Sequence, residues 1–175
     1  MRGHRTSFAV SGDFAYYGVR DNLVAKGLDP LTTNQVSTIY SNSREKISAV
    51  SVSHDGKRIA FGDEKGKVTI LKQLNGQLEQ HKEHFVLSGI VNEIVWSKDD
   101  KVIVALGEKA CALNSESGST TGEVLGATGK ILCGVLTPEN VLFSAGEGNE
   151  ILRHDGIPFK GQGKTVKHPH TGFIN

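Results

Sequence analysis

His81-Lys82-Glu83-His84 places two imidazoles three residues apart, a spacing that can hold a zinc ion from one face of a helix. No cysteine pair or acidic cluster follows to complete the ligand set, so a polar loop between strands is expected there. His168-Pro169-His170, beside Lys164 and Lys167, offers the same ligand type, but the proline opposes any regular element and a solvated loop is the expectation. Gly146-Glu147-Gly148-Asn149 follows an apolar run, as a phosphate cradle would. A phosphate site also needs a helix N-terminus after its glycines, and the next segment here reads as another strand. Ser117-Gly118-Ser119 superficially resembles a nucleophile elbow, yet no full Gly-x-Ser-x-Gly is present and its setting is a polar turn. Cys111 and Cys133 lie in apolar, strand-like runs and are both expected to be buried small side chains, kept reduced in a cytosolic home. No catalytic residue, metal or cofactor is expected.

The elements that carry these residues repeat. ISAVSVSHDGKRIAFGDEKGKVTIL from Ile47, VNEIVWSKDDKVIVALGEKACAL from Val91 and ILCGVLTPENVLFSAGEGNEIL from Ile131 begin 44 and 40 residues apart (91 − 47 and 131 − 91). Each runs apolar strand, polar turn, apolar strand, Gly-rich turn and apolar strand, the pattern of a four-stranded propeller blade recurring at about 40–45 residues. A fainter copy, FAVSGDFAYYGVRDNLVAKGL, starts at Phe8, and a further one opens at Gly172-Phe173-Ile174-Asn175. The sequence therefore predicts an all-β chain of propeller blades, with about three full blades and partial ones. Their approximate bounds are 5–44, 45–88, 89–128 and 129–170, with the start of another at 171–175. Such an array makes an open arc, expected of a fragment or truncated product, since propellers close with typically four to eight blades. Val102-Ile103-Val104-Ala105-Leu106 is apolar at every position and predicts a strand covered on both faces. The polar segment from Gln73 to Glu83 is expected to lead into a fourth strand near Phe85-Val86-Leu87.

Twenty Lys and Arg against 19 Asp and Glu leave a formal net charge of +1 without a block of one sign, so nucleic-acid and anionic-membrane binding are not expected. No run approaches the ~18 apolar residues of a membrane span, and the amino terminus does not read as a signal peptide. A soluble intracellular protein that binds other proteins is the expectation. A propeller enzyme such as a glycosidase or lactonase would need convergent carboxylates or metal ligands, whereas the acidic residues here sit mainly in turns.

His54-Asp55-Gly56 and Lys98-Asp99-Asp100 stand where the WD-repeat superfamily carries its Ser-Pro-Asp-Gly turn. Leu71-Lys72-Gln73, Leu113-Asn114-Ser115 and Leu152-Arg153-His154 replace its Trp-Asp, and Gly126-Ala127-Thr128 its Gly-His. Without that hydrogen-bonded constellation, blade stability is expected to rest on strand packing. GIVNEIVWSKDDKVIVALGE, ESGSTTGEVLGATGKI and DGIPFKGQGKTVKHPHTGFIN more specifically resemble successive segments of the actin-interacting protein 1 family, the WD-repeat cofactors of cofilin. The shared features are Gly107-Glu108, the stretch Ser117 to Gly126, and Pro158-Phe159-Lys160 followed by Phe173. The chain departs from the family in a shorter turn after Glu108 and in Gly161, where an aromatic is usual. The resemblance covers most of residues 8 to 175 and the beginning of the family's first propeller. It implies binding to actin filaments decorated with cofilin and promotion of their disassembly, in the cytoplasm at the actin cytoskeleton, with no small-molecule substrate. It also implies a contact surface of Glu108, Glu147, Lys160 and Phe173. A scaffold for another intracellular assembly is the alternative.

Overall fold

Short apolar runs separated by Gly, Asp and Asn turns fold into hairpins, because those residues accept the backbone angles that reverse a chain. The computed structural model describes residues 8–29, 36–41, 45–74, 77–125, 129–148, 150–159 and 163–166, and contains no helix among them. Its strands form four antiparallel sheets, each a meander in chain order. Sheet 1 holds β1 (Phe8–Ser11), β2 (Phe14–Val19), β3 (Asn22–Gly27) and β4 (Val36–Tyr40). Sheet 2 holds β5 (Ile47–Val52), β6 (Arg58–Asp63), β7 (Lys67–Leu74) and β8 (Gln77–Phe85). Sheet 3 holds β9 (Glu93–Trp96), β10 (Val102–Leu106), β11 (Lys109–Asn114) and β12 (Thr120–Leu125). Sheet 4 holds β13 (Ile131–Leu136), β14 (Leu142–Gly146), β15 (Ile151–His154) and β16 (Lys164–Val166).

Alternation along each strand sends neighbouring side chains to opposite faces, and the apolar cores lie between sheets. Leu23, Ile47, Val50, Ile59, Phe61 and Leu71 fill the space between sheets 1 and 2. In β10, Ile103 and Ala105 join the core shared with sheet 2, while Val104 and Leu106 join the core shared with sheet 4. All four are fully buried, as expected of a strand covered on both faces. Successive sheets are also tied by backbone at one recurring point. Ile47 N donates to Arg20 O (2.7 Å), Val91 N to Asp63 O (3.1 Å) and Ile131 N to Gly107 O (2.7 Å). These donors are the residues at which the three strong copies begin.

Three expectations are corrected. The faint first copy is a complete four-stranded sheet. The described residues of the polar segment Gln73 to Glu83 are themselves strand, forming the end of β7 and most of β8, so His81-Lys82-Glu83-His84 is not a loop. A strand at the outer edge of its sheet is held by backbone pairing and can be polar throughout. Cys111 is buried as expected, but Cys133 is only half-buried, because among the described residues no further sheet packs on the outer face of β13. His168-Pro169-His170 and the start of a further blade at 171–175 lie outside the described residues.

Candidate protein-binding surface

The turn between the second and third strands of each sheet carries an acidic residue, Asp21, Glu64, Glu108 and Glu147, and that of sheet 4 also holds Glu150. Because the four sheets share one meander, these turns fall at the same end of the arc, beside the linkers that join successive sheets. Glu108 Oε1 accepts from both the backbone N–H and the hydroxyl of Ser88, in the linker from sheet 2 to sheet 3. Those two donors hold its carboxyl below the usual range. Glu147 Oε2 accepts from Lys130 N (3.2 Å) in the next linker, and Glu147 N donates back to Lys130 O (3.0 Å). In sheet 2, Glu64 pairs at 3.3 Å with Lys46 of the preceding linker. An ionised carboxylate has about four acceptor sites, so Glu108 and Glu147 retain capacity for a partner's cations or donors after serving the linkers.

Of the expected contact residues, Glu108 and Glu147 share this end, whereas Lys160 and Phe173 lie outside the described residues. Phe159, next to Lys160 in sequence, is buried in the core between sheets 3 and 4 and meets the His154 ring edge-on at 6.0 Å. Asp21 and Glu64 were not singled out from sequence, although 43, 44 and 39 residues separate the four acids (64 − 21, 108 − 64, 147 − 108), close to the repeat itself.

The opposite end is built from the turns after β5, β9 and β13. Ser53 Oγ donates to Asp55 Oδ1 (2.6 Å), which also accepts from Lys57 N (3.0 Å). Ser97 Oγ, Asp99 Oδ1 and Lys101 N repeat the arrangement at 2.7 and 3.2 Å. In each turn the serine hydroxyl is the main cause of a carboxyl held below its ordinary value. Asp100 then reaches across to sheet 2. Its Oδ1 accepts from His54 N at 2.8 Å and lies 2.9 Å from His54 Nδ1, and its Oδ2 accepts from Asp55 N at 2.9 Å. Arg58 donates to Ser115 Oγ (2.7 Å) and Glu116 Oε1 (3.0 Å), lies 5.5 Å from the centre of the Trp96 ring, and is itself buried. Sheets 2 and 3 are thus joined by polar contacts as well as packing, which the missing Trp-Asp pairs had not led one to expect.

The buried Cys111 thiol is pushed up to about 11, chiefly by burial, and so stays protonated and unreactive at neutral pH. No group of three or more metal-ligating side chains converges among the described residues. Nor is any helix among them long and apolar enough to cross a membrane.

No protein-family model matches the chain. Among curated proteins it is similar to Actin-interacting protein 1 of Drosophila melanogaster, 28% identical over 145 residues that make up 79% of this chain and 24% of that protein. Actin-interacting protein 1-2 of Arabidopsis thaliana is 29% identical over 145 residues (79% and 23%). WD repeat-containing protein 1-B of Xenopus laevis is 26% identical over 147 residues (80% and 24%). The chain spans about a quarter of the length of these relatives. In three dimensions it superposes on a chain of a mitotic checkpoint complex crystal structure with a TM-score of 0.81 at 16% identity, covering 97% of this chain and 53% of that one. The WD40 repeats of RRP9 give 0.79 at 13% identity, covering 99% and 55%. The structural likeness establishes the fold, an incomplete WD-repeat propeller. The sequence likeness bears out the resemblance to actin-interacting protein 1.

Proposed function

We propose that the chain works in the cytoplasm by non-covalent contact with actin filaments that carry cofilin, and that these contacts promote filament disassembly. The observation that carries this reading is the similarity over 145 residues to two proteins named for interacting with actin. The fold supports it, because stacked blades offer rigid ends bordered by turns, a platform suited to protein partners. In this reading Glu108 and Glu147 pair with cationic groups of the partner and fix register, Lys160 pairs with a carboxylate, and Phe173 supplies an apolar anchor.

The test is co-sedimentation with actin filaments, with and without cofilin. Pelleting that depends on cofilin is expected, and the double charge reversal Glu147→Lys with Lys160→Glu should weaken it by tenfold or more, the size of about 1.4 kcal/mol. Absence of any cofilin-dependent pelleting would sink the proposal. A second reading, a scaffold for another assembly, is favoured by one observation: Glu108 and Glu147 are both bound to the linkers of their own chain. Under that reading the double reversal leaves partner binding unchanged.

A further inference from the structure

The linkers hold the acidic turns in two different ways. Lys46 and Lys130 each stand one residue before a donor that ties successive sheets, Ile47 or Ile131. Lys46 Nζ pairs with Glu64, and Lys130 N donates to Glu147. Before Val91, the donor at the seam between sheets 2 and 3, that position is taken by Ile90, whose side chain has no donor and which is 43% exposed. Glu108 is held instead by Ser88, two residues earlier, through its N–H and its hydroxyl together, both on Oε1. These donors are neutral, and Lys109, beside Glu108 in sequence, pairs with Glu123 at 2.8 Å. Glu108 Oε2 accepts no hydrogen bond among the described residues. Glycine at 89 leaves that oxygen uncovered, since a Cβ there would lie 3.5 Å from it. The linker rests on the turn that carries Glu108, because a Cβ on Gly107 would lie 2.6 Å from both Ile90 O and Leu87 Cδ1.

We propose that Ser88 is a positioning residue, which fixes the Glu108 carboxylate by one oxygen and so presents the other to a cationic group of the protein partner. The inference rests on the reading of Glu108 as a contact residue given above. A glutamate free to rotate must be ordered when a partner binds, which weakens affinity by about three- to tenfold. Two hydrogen bonds from one braced residue do that ordering in advance. They do not compete with the partner, because both fall on Oε1 and an ionised carboxylate has about four acceptor sites. The tie between Glu108 and its own linker is on this account a preparation for contact rather than a sign that the residue is already spent.

Co-sedimentation with actin filaments that carry cofilin tests it, read for the wild type, Ser88→Ala, Ser88→Thr, Glu108→Ala and the double variant Ser88→Ala with Glu108→Ala. Ser88→Ala is expected to weaken binding by about three- to tenfold. Ser88→Thr, which keeps the hydroxyl, should restore it. With Glu108 already replaced by alanine, removing the Ser88 hydroxyl should make no further difference, a coupling that a merely structural loss in the linker would not give. A wild-type chain that does not pellet overturns the functional reading and the proposal with it. Where the wild type does pellet, the proposal alone falls if Ser88→Ala or Glu108→Ala binds at least as tightly, or if Ser88→Ala costs as much without Glu108 as with it.

Discussion

Asp100 is the residue on which the second and third sheets depend most directly, since its carboxylate receives two backbone N–H groups of the neighbouring turn, from His54 and Asp55. Replacing it with alanine leaves both donors without an acceptor in a part-buried setting, and unmet buried donors cost about 1–3 kcal/mol each. The backbone there has φ +56°, a conformation that asparagine tolerates and alanine does not. Asp100→Ala is therefore expected to lower unfolding stability by about 2–4 kcal/mol, and Asp100→Asn, which keeps one carbonyl acceptor, by about 1–2 kcal/mol. Urea midpoints of the three proteins measure this; equal midpoints would mean that water replaces the carboxylate at no cost. The turn itself was legible in Lys98-Asp99-Asp100, but the bridge was not, because its partners lie 45 and 46 residues away. The same holds for Arg58, whose partners Ser115 and Glu116 are 57 and 58 residues along the chain. Local pattern reports what a residue does to its own turn, and contacts across a sheet interface leave no periodic trace.

At the scale of elements, the middle strands were legible because they are apolar, and β8 was not because it is polar. Periodicity marks strands that bury a face, whereas an outer strand is defined by the partner to which its backbone pairs. The end of β8 is fixed by the turn before β7: Val86 N and Leu87 N both donate to Gly66 O, at 3.0 and 3.3 Å. Gly66 has φ +82°, and a Cβ on it would sit 2.0 Å from Leu87 O. Gly66→Ala thus demands both an unfavourable backbone conformation and displacement of the strand end, for an expected loss of about 2–4 kcal/mol. Gly12 is the matched control, with φ +55° and no atom within 4 Å of an added Cβ, so Gly12→Ala should cost only the conformational part, about 1–2 kcal/mol. Thermal unfolding of the two variants separates the terms, and equal midpoints would show that the close approach at Leu87 relaxes freely. Glu108 and Glu147 were singled out from sequence only through the contact surface that the resemblance to actin-interacting protein 1 implies. Their ties to Ser88 and Lys130 depend on how the linkers fold back between sheets.

For the molecule as a whole, the repeat period revealed the architecture, and the count of sheets was harder to read because the first copy keeps the strand order while losing the apolar density of the others. What the sequence conceals at this scale is which polar groups the packed sheets enclose. His154 is only 3% exposed, its Nε2 lies 3.0 Å from Ser144 Oγ, and its Nδ1 has no hydrogen-bond partner among the described residues. Burial pushes the imidazole below its ordinary value of 6.5, with Asp155 opposing the shift. Above pH 6.5 the ring is neutral whether the chain is folded or unfolded, and it contributes no pH dependence. As the pH falls through 6.5 the unfolded chain takes up the proton first, so stability declines until the folded ring is protonated too, by up to about 1.4 kcal/mol per pH unit. Asp55, Asp99 and Glu108 have lowered values, so their contribution is present above the ordinary 3.8 and 4.5 and is lost only below them. Unfolding free energy measured from pH 8 to pH 3 should therefore fall in two stages, the first between about 6.5 and 4.5. His154→Gln, which cannot titrate, should flatten that first stage whatever it does to stability at pH 8. An unchanged slope in the variant would assign the first stage to another group and leave the neutral ring of His154 without consequence for the fold.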